Sequence, residues 1–304
     1  MQQKVGIIGC GHVGSDVAFS IVTQGICSEL VLVDQNTEKA SSEAMELRDM
    51  LSATRSYTNV VSGGYELLRD AAVIVMAIGP TTLLEKDRME ELKETSEAVR
   101  SIIPKVMQTG FNGIFINITN PCDVITQIIA KESGLPNRQV LGTGTLLDTM
   151  RMRSALGEHF QVSPKSISGY VLGEHGESQF IAWSGVEVGT KRALELLSAE
   201  EQMEFKETVR ARGWNILMGK GWTSFGIATA AARLVAIVLD DAREVLPVSV
   251  YDEAEEVYAG RPAVIGRNGV CQILPLEQLT TEEEKHYRES CAVIRQAFTN
   301  VYAK

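Results

Sequence analysis

An apolar run at residues 5–9 passes straight into Gly9-Cys10-Gly11-His12-Val13-Gly14, and helical spacing of apolar residues follows from 13 to 25. A strand that turns sharply into a helix across glycines leaves few topologies open. The first glycine permits the tight turn, the second lets backbone approach a pyrophosphate, and the third lets helix pack on strand. The same alternation continues. Short apolar runs at 30–34, 60–63, 73–79, 114–119 and 140–143 are separated by helical patterns such as 89–110. Six such runs imply right-handed crossovers and a parallel sheet covered by helices on both faces.

The expected fold class is therefore α/β: a doubly wound parallel Rossmann sheet over residues 1–145, then a second α+β domain over 146–304. In that second part a helix at 148–157 leads into alternating stretches, 166–172 and 181–188, that read as antiparallel strands. Ser198 with Glu201 forms a capping box opening a long helix. Gly213 is expected to interrupt that helix, and residues 219–221 to break it again before 225–242 resumes. Strands at 248–251 and 263–266 and a charged helix from Thr281 complete the pattern.

Net charge is −10, which argues against nucleic acid or an anionic membrane surface as a partner. The greasiest stretch, 225–239, carries Arg233 and is too short to span a bilayer. Five scattered cysteines without a C-x-x-C pair, and four histidines without ligand spacing, point to a reducing compartment, no disulfide framework and no metal site. A cytoplasmic location is expected. The glycine loop, with Gly9, Gly11, His12, Val13 and Gly14, is the expected cofactor cradle, although no chemistry falls to the His12 ring. Asp34 ends the second apolar run about 20 residues beyond Gly14, where a carboxylate accepts from the adenosine ribose hydroxyls and repels a 2′-phosphate. NAD is thus expected over NADP, the lesser alternative being an aspartate that merely ends a strand.

A second group of residues suggests what the nucleotide is used for. Asp148 and Arg151 stand three apart on one helix face, and Gly173-Glu174-His175-Gly176 follows an apolar run. A histidine moves protons near neutral pH, a buried acid at its other ring nitrogen orients it, and an arginine fork holds a carboxylate. Together they suit hydride transfer to and from a 2-hydroxy acid. A helix-terminal charge is the plainer role for Asp148, and a structural ring the plainer role for His175.

The run Gly142-Thr143-Gly144-Thr145-Leu146-Leu147-Asp148-Thr149-Met150-Arg151, with Gly173-Glu174-His175-Gly176 and Thr119-Asn120-Pro121-Cys122-Asp123, resembles the L-lactate/L-malate dehydrogenase family over nearly the whole chain. The resemblance implies a catalytic Asp148–His175 pair, carboxylate-binding Arg151, and Asn120 touching both cofactor and substrate. It also implies Gly79 at the cofactor, and a lid from about Pro80 to Met89 whose Arg88 polarises the substrate carbonyl; Lys86 is a competing cation. Thr82 falls where malate-specific members carry an arginine, so a dicarboxylate is disfavoured. Three further runs, 168–176, 219–224 and 262–267, are most similar to the L-2-hydroxyisocaproate dehydrogenase branch, which acts on larger aliphatic 2-oxo acids. Gly213 is expected to widen the substrate pocket beside Thr223. Bacterial members activated by fructose 1,6-bisphosphate are similar at Arg153, but Ser168 replaces their histidine, so weak or no activation is expected. The family further implies a homodimer or homotetramer. The expected function is an NAD-dependent L-2-hydroxy acid dehydrogenase acting on a 2-oxo monocarboxylic acid with an apolar side chain; ordinary L-lactate dehydrogenase and a catalytically silent NAD(H) sensor are the alternative readings.

Overall fold

The computed structural model describes residues 3–79 and 91–303. Six strands, β1 (Lys4–Ile8), β2 (Glu29–Val33), β3 (Asn59–Ser62), β4 (Val73–Met76), β5 (Ile114–Asn117) and β6 (Val140–Gly142), pair in parallel in the order 3-2-1-4-5-6. Helices α1 (His12–Gln24), α2 (Thr37–Met50), α3 (Leu92–Gln108) and α4 (Cys122–Ser133) lie between them. That order is the doubly wound arrangement, whose crevice lies at the carboxyl ends of the strands where the order reverses.

Alternate strand residues serve opposite faces. Val5, Ile7, Leu30, Leu32, Val73 and Val75 pack under α1 and α8 (Phe225–Asp240). Ile8, Val31, Val33, Ile74, Met76 and Phe115 pack under α3, α4 and the last helix, α9 (Thr281–Tyr302). Burial on both sides is why these strands read as continuous apolar runs. Each fully buried Val, Leu or Ile contributes roughly 1.5–3 kcal/mol. Because α8 and α9 come from the second half of the chain, both halves share the central core.

The sheet also crosses the boundary expected at residue 145. The antiparallel strands β11 (Glu244–Asp252), β12 (Val257–Gly266) and β13 (Gly269–Ile273) extend it beyond β6, through a Ser249–Gly142 pairing, to nine strands among the described residues. Helix α5 (Leu146–Phe160) carries a smaller core of Met152, Leu156, Ile167, Val171, Ile181 and Val209. Among the described residues no single helix is long and apolar enough to cross a membrane.

Several local expectations are corrected. The stretches 166–172 and 181–188 form only short ladders. Strand β7 (Val171–Leu172) pairs with β8 (Phe180–Ile181), and β9 (Glu187–Val188) with β10 (Lys191–Arg192). Gly169 at φ +93° and Gly173 at φ +89° bend the chain out of a continuous strand. After the four-residue α6 (Ala193–Leu196), helix α7 (Ala199–Lys220) opens on the expected Ser198–Glu201 capping box but runs unbroken through the buried Gly213. It ends at Gly221, φ +93°, and turns by 117° into α8. The strands expected at 248–251 and 263–266 are parts of a long β11–β12 hairpin. Gly260 lies inside β12, where a glycine ordinarily weakens a strand. At Gly260, however, a Cβ would lie 2.4 Å from Thr145 Oγ1 and 2.8 Å from the Gly173 carbonyl, so this glycine marks close backbone approach, not a strand end.

Candidate active site

The glycine loop sits at the carboxyl ends of β1 and β4. Gly9 takes φ +99°, and a Cβ there would come 2.4 Å from the Ala77 carbonyl oxygen. A Cβ on Gly14 would lie 1.8 Å from the Gly9 oxygen, which accounts for the third glycine. Nothing lies within 4 Å of a Cβ built on Gly11. Gly11 is also the N-cap of α1 and brings no side chain to satisfy the first-turn N–H groups. An open approach to an uncapped helix N-terminus fits a pyrophosphate. Val13 is half-buried against the core, and Gly79 is exposed just past β4 with open space around its Cα.

Asp34 does more than end β2. One oxygen accepts the Cys10 N–H at 2.7 Å and the other the Asn36 N–H at 2.8 Å, so the carboxylate ties the glycine loop to the start of α2. A carboxylate has about four acceptor sites, so holding both amides is compatible with accepting from a ribose diol. His12 is exposed and its ring stacks on Trp222, centroids 4.1 Å apart and 5° from parallel. The ring to which the sequence assigns no chemistry is thus stacked against the α7–α8 elbow. These rings, with Ser15, Lys39 and Lys220, border a cavity of about 260 Å³ beside the glycine loop. A cavity of about 500 Å³ lies at the amino-terminal edge of the sheet, lined by Arg69, Gly113 and Arg138, far along the strands from the glycine loop.

The second cluster comes together in the interior. Asp148, in the first turn of α5, is fully buried; Arg151 is 6% and His175 7% exposed. Asp148 Oδ1 accepts from Arg151 Nη1 at 3.0 Å, and Oδ2 lies 2.5 Å from His175 Nδ1. The helical spacing that put Asp148 and Arg151 on one face thus becomes a direct ion pair, and the acid reaches the histidine as expected. Arg151 and the His175 ring both meet this buried carboxylate at hydrogen-bond distance, an arrangement that favours its charged form, and a negative charge there favours an imidazolium.

The turn bearing His175 is held from several directions. Gly173 exchanges backbone hydrogen bonds with Gly260 of β12 at 2.9 and 2.8 Å. The Glu174 N–H donates to Ser290 Oγ of α9 at 2.7 Å, and the His175 N–H donates to Asp123 Oδ2 of α4 at 2.7 Å. Asp123 Oδ1 accepts from Ser249 Oγ of β11 at 2.6 Å. Burial pushes the Asp123 carboxyl up to about 7; Ser249 and the His175 amide oppose this, while Glu174 and Asp148 add to it. Asp123 stands within the 119–123 motif without any role attached to it, and Ser249 and Ser290 belong to none of the motifs. The only local signal was an acid at the second position of a helix that begins Pro121-Cys122-Asp123.

Asn120 precedes a cis bond to Pro121 and is half-buried; its carbonyl accepts from Thr95 Oγ1 at 2.9 Å. Thr223 is half-buried at the entry to α8, next to buried Ser224, which accepts from Lys220 Nζ at 3.0 Å. Cys10 and Cys122 are raised to about 12 by burial, so both remain thiols. Thr82 and Arg88, with the rest of 80–90, lie outside the described residues. Among the described residues no three His, Cys, Asp or Glu side chains are grouped to hold a metal ion.

Residues 3–142 match the family model of the lactate/malate dehydrogenase NAD binding domain, and residues 145–304 that of the lactate/malate dehydrogenase alpha/beta C-terminal domain. L-lactate dehydrogenase 3 of Bacillus anthracis is 39% identical over 304 residues, covering 96% of each chain. L-lactate dehydrogenase 1 of Bifidobacterium longum is 38% identical over 306 residues, covering 97% of this chain and 96% of its own. Among solved structures, minor L-lactate dehydrogenase from Enterococcus mundtii in its ligands-bound form matches with a TM-score of 0.95 at 34% identity, covering 99% of this chain and 98% of that one. MGS-M5, a lactate dehydrogenase from a Medee basin deep-sea metagenome, matches with a TM-score of 0.94 at 32% identity, covering 99% and 100%.

Proposed function

The chain belongs to the lactate/malate dehydrogenase family and is an NAD-dependent oxidoreductase of the CH–OH group; from this premise we propose that it interconverts a 2-oxo monocarboxylate and its L-2-hydroxy acid, with pyruvate and lactate as the principal pair. The observation that carries the proposal is the buried Arg151–Asp148–His175 chain of contacts. Bound NADH supplies a hydride to C2 of the oxo acid. Arg151 holds the substrate carboxylate with two parallel hydrogen bonds, which fixes both distance and rotation. His175 gives a proton to the carbonyl oxygen from Nε2, the ring nitrogen opposite the one taken by Asp148. Asp148 stabilises the imidazolium beforehand and sets its orientation. In the reverse direction the same nitrogen takes the hydroxyl proton.

Arg88 is assigned to polarise the carbonyl, and Asn120 to contact cofactor and substrate. With Thr82 rather than a cation at the substrate-reading position, a second carboxylate would be buried unpaired at a cost of several kcal/mol. The pyruvate assignment is supported by the curated relatives, which carry the name L-lactate dehydrogenase. A second reading, a larger aliphatic 2-oxo acid, is favoured by the uncharged Thr82-Leu83-Leu84 run and by Thr223, which is only half-buried. Initial rates of NADH oxidation with pyruvate, 2-oxobutyrate, 4-methyl-2-oxopentanoate and oxaloacetate decide between them. Highest kcat/KM for pyruvate supports the first reading and for 4-methyl-2-oxopentanoate the second. Highest kcat/KM for oxaloacetate overturns both.

A further inference from the structure

His175 is flanked by Gly173 and Gly176, so its own stretch of backbone is permissive, and Asp148 restrains only the ring. The main-chain N–H of His175 is restrained by Asp123, which is 1% exposed. Ser249 restrains the other oxygen of the same carboxylate. Asp123 therefore stands where α4, the histidine turn and β11 meet, and no Lys or Arg pairs with it among the described residues. We propose that Asp123 is the positioning residue of the proton donor: its carboxylate, held by Ser249, fixes the main chain of His175 and brings a buried carboxylate to the residue that bears the proton-donating ring.

An amide would satisfy the same contacts without the desolvation cost of a buried charge, since Asn can accept from the His175 N–H and donate to Ser249 Oγ. The charge is thus the part that needs a function. The titratable side chains whose charge bears on Asp123 are Glu174 and Asp148, with Cys122 beside it on α4 and Cys291 on α9, while His175 meets it through its main-chain N–H. With its carboxyl pushed up to about 7, Asp123 is neutral in mild acid and ionised in mild alkali. The negative charge that appears above about pH 7, hydrogen-bonded to the main chain of His175, favours the protonated ring and so extends 2-oxo acid reduction to higher pH. This holds for whichever 2-oxo acid is preferred, so it stands apart from the substrate assignment.

The test compares Asp123→Asn and Asp123→Ala in the intact enzyme, using the best substrate of the panel, with NADH affinity measured by fluorescence. Asp123→Asn keeps the hydrogen bonds and removes the charge. Its kcat/KM for reduction should match the parent at pH 5.5 and fall progressively below it above pH 7, with the alkaline limb displaced downward by about half to one pH unit. Asp123→Ala removes the anchor, and kcat should drop roughly 100-fold while NADH affinity stays within about twofold. Superimposable pH profiles for Asp123→Asn and the parent overturn the charge role. An Asp123→Ala enzyme that keeps its kcat overturns the positioning role. If Asp123→Ala does not fold, Ser249→Ala, which loosens the carboxylate, replaces it; unchanged kcat there overturns the positioning role equally.

Discussion

Replacing Asp148 with Asn removes one charge at the centre of the cluster and almost no volume. The carboxylate is fully buried and stands 2.5 Å from His175 Nδ1 and 3.0 Å from Arg151 Nη1. Unit charges about 3 Å apart at an effective dielectric constant near 20 interact by on the order of 5 kcal/mol. Since all three groups are buried, little of this is screened by solvent. Asn keeps one acceptor oxygen, so part of the interaction survives. It cannot accept from both Arg151 and His175 through oxygen, however, and its NH₂ must face one of two donors. Breaking a buried pair in this way costs about 3–4 kcal/mol. If that loss falls on the protonated ring, kcat/KM for reduction drops by roughly two to three orders of magnitude. Steady-state NADH oxidation at pH 6 to 8 measures it, and NADH affinity should hold because the glycine loop is a separate structure. A loss of less than about tenfold with unchanged folding would refute the assignment of Asp148 as the group that charges and orients His175.

Other consequences are open to direct measurement. Gly11→Ala should leave the melting temperature of the free protein within about 2 °C of the parent, because its Cβ meets nothing within 4 Å, yet it should weaken NADH binding at least tenfold. Gly14→Ala, with its Cβ 1.8 Å from the Gly9 oxygen, should damage folding and NADH binding together; a stable Gly14→Ala protein that binds NADH normally would contradict the packing described. The Asp123 carboxyl is raised from 3.8 to about 7 in the folded chain, so the stability it contributes is present below pH 4 and is lost as pH climbs through 7. Unfolding free energies at pH 5 and pH 8 should therefore differ more in the parent than in Asp123→Asn, by roughly 3 kcal/mol over the two pH units between 5 and 7; equal differences would place the carboxyl in its ordinary range. Fructose 1,6-bisphosphate should not lower the substrate KM. Arg153 Nη2 is spent on the Gly169 carbonyl at 3.3 Å and its guanidinium lies 6.0 Å from the Tyr170 ring centre, while Ser168 offers no cation beside it. A strong fall in KM on titration would reverse this conclusion.

What the sequence made legible follows the range of the interactions involved. The six parallel strands are buried on both faces, so each is a local apolar run, and the structure places each within a few residues of its expected position. The glycine loop and the Asp148–Arg151 pair are local as well, set by the turn into a helix and by helical spacing. The support of His175 was not legible, because its anchors are distant in the chain. Asp123 lies 52 residues from His175, Ser290 lies 116 from Glu174, and Ser249 lies 126 from Asp123. Each is an ordinary polar residue in its own neighbourhood. Gly260 has the same kind of cause: within its strand it looks like a weakness, and only the opposing Gly173 backbone explains it. The reacting groups are thus announced by short motifs, whereas the pieces that hold one of them to a fraction of an ångström are assembled by the sheet. A rate loss from Ser249→Ala, at a residue absent from every local motif, would be the most direct sign that these distant anchors set the speed of proton transfer.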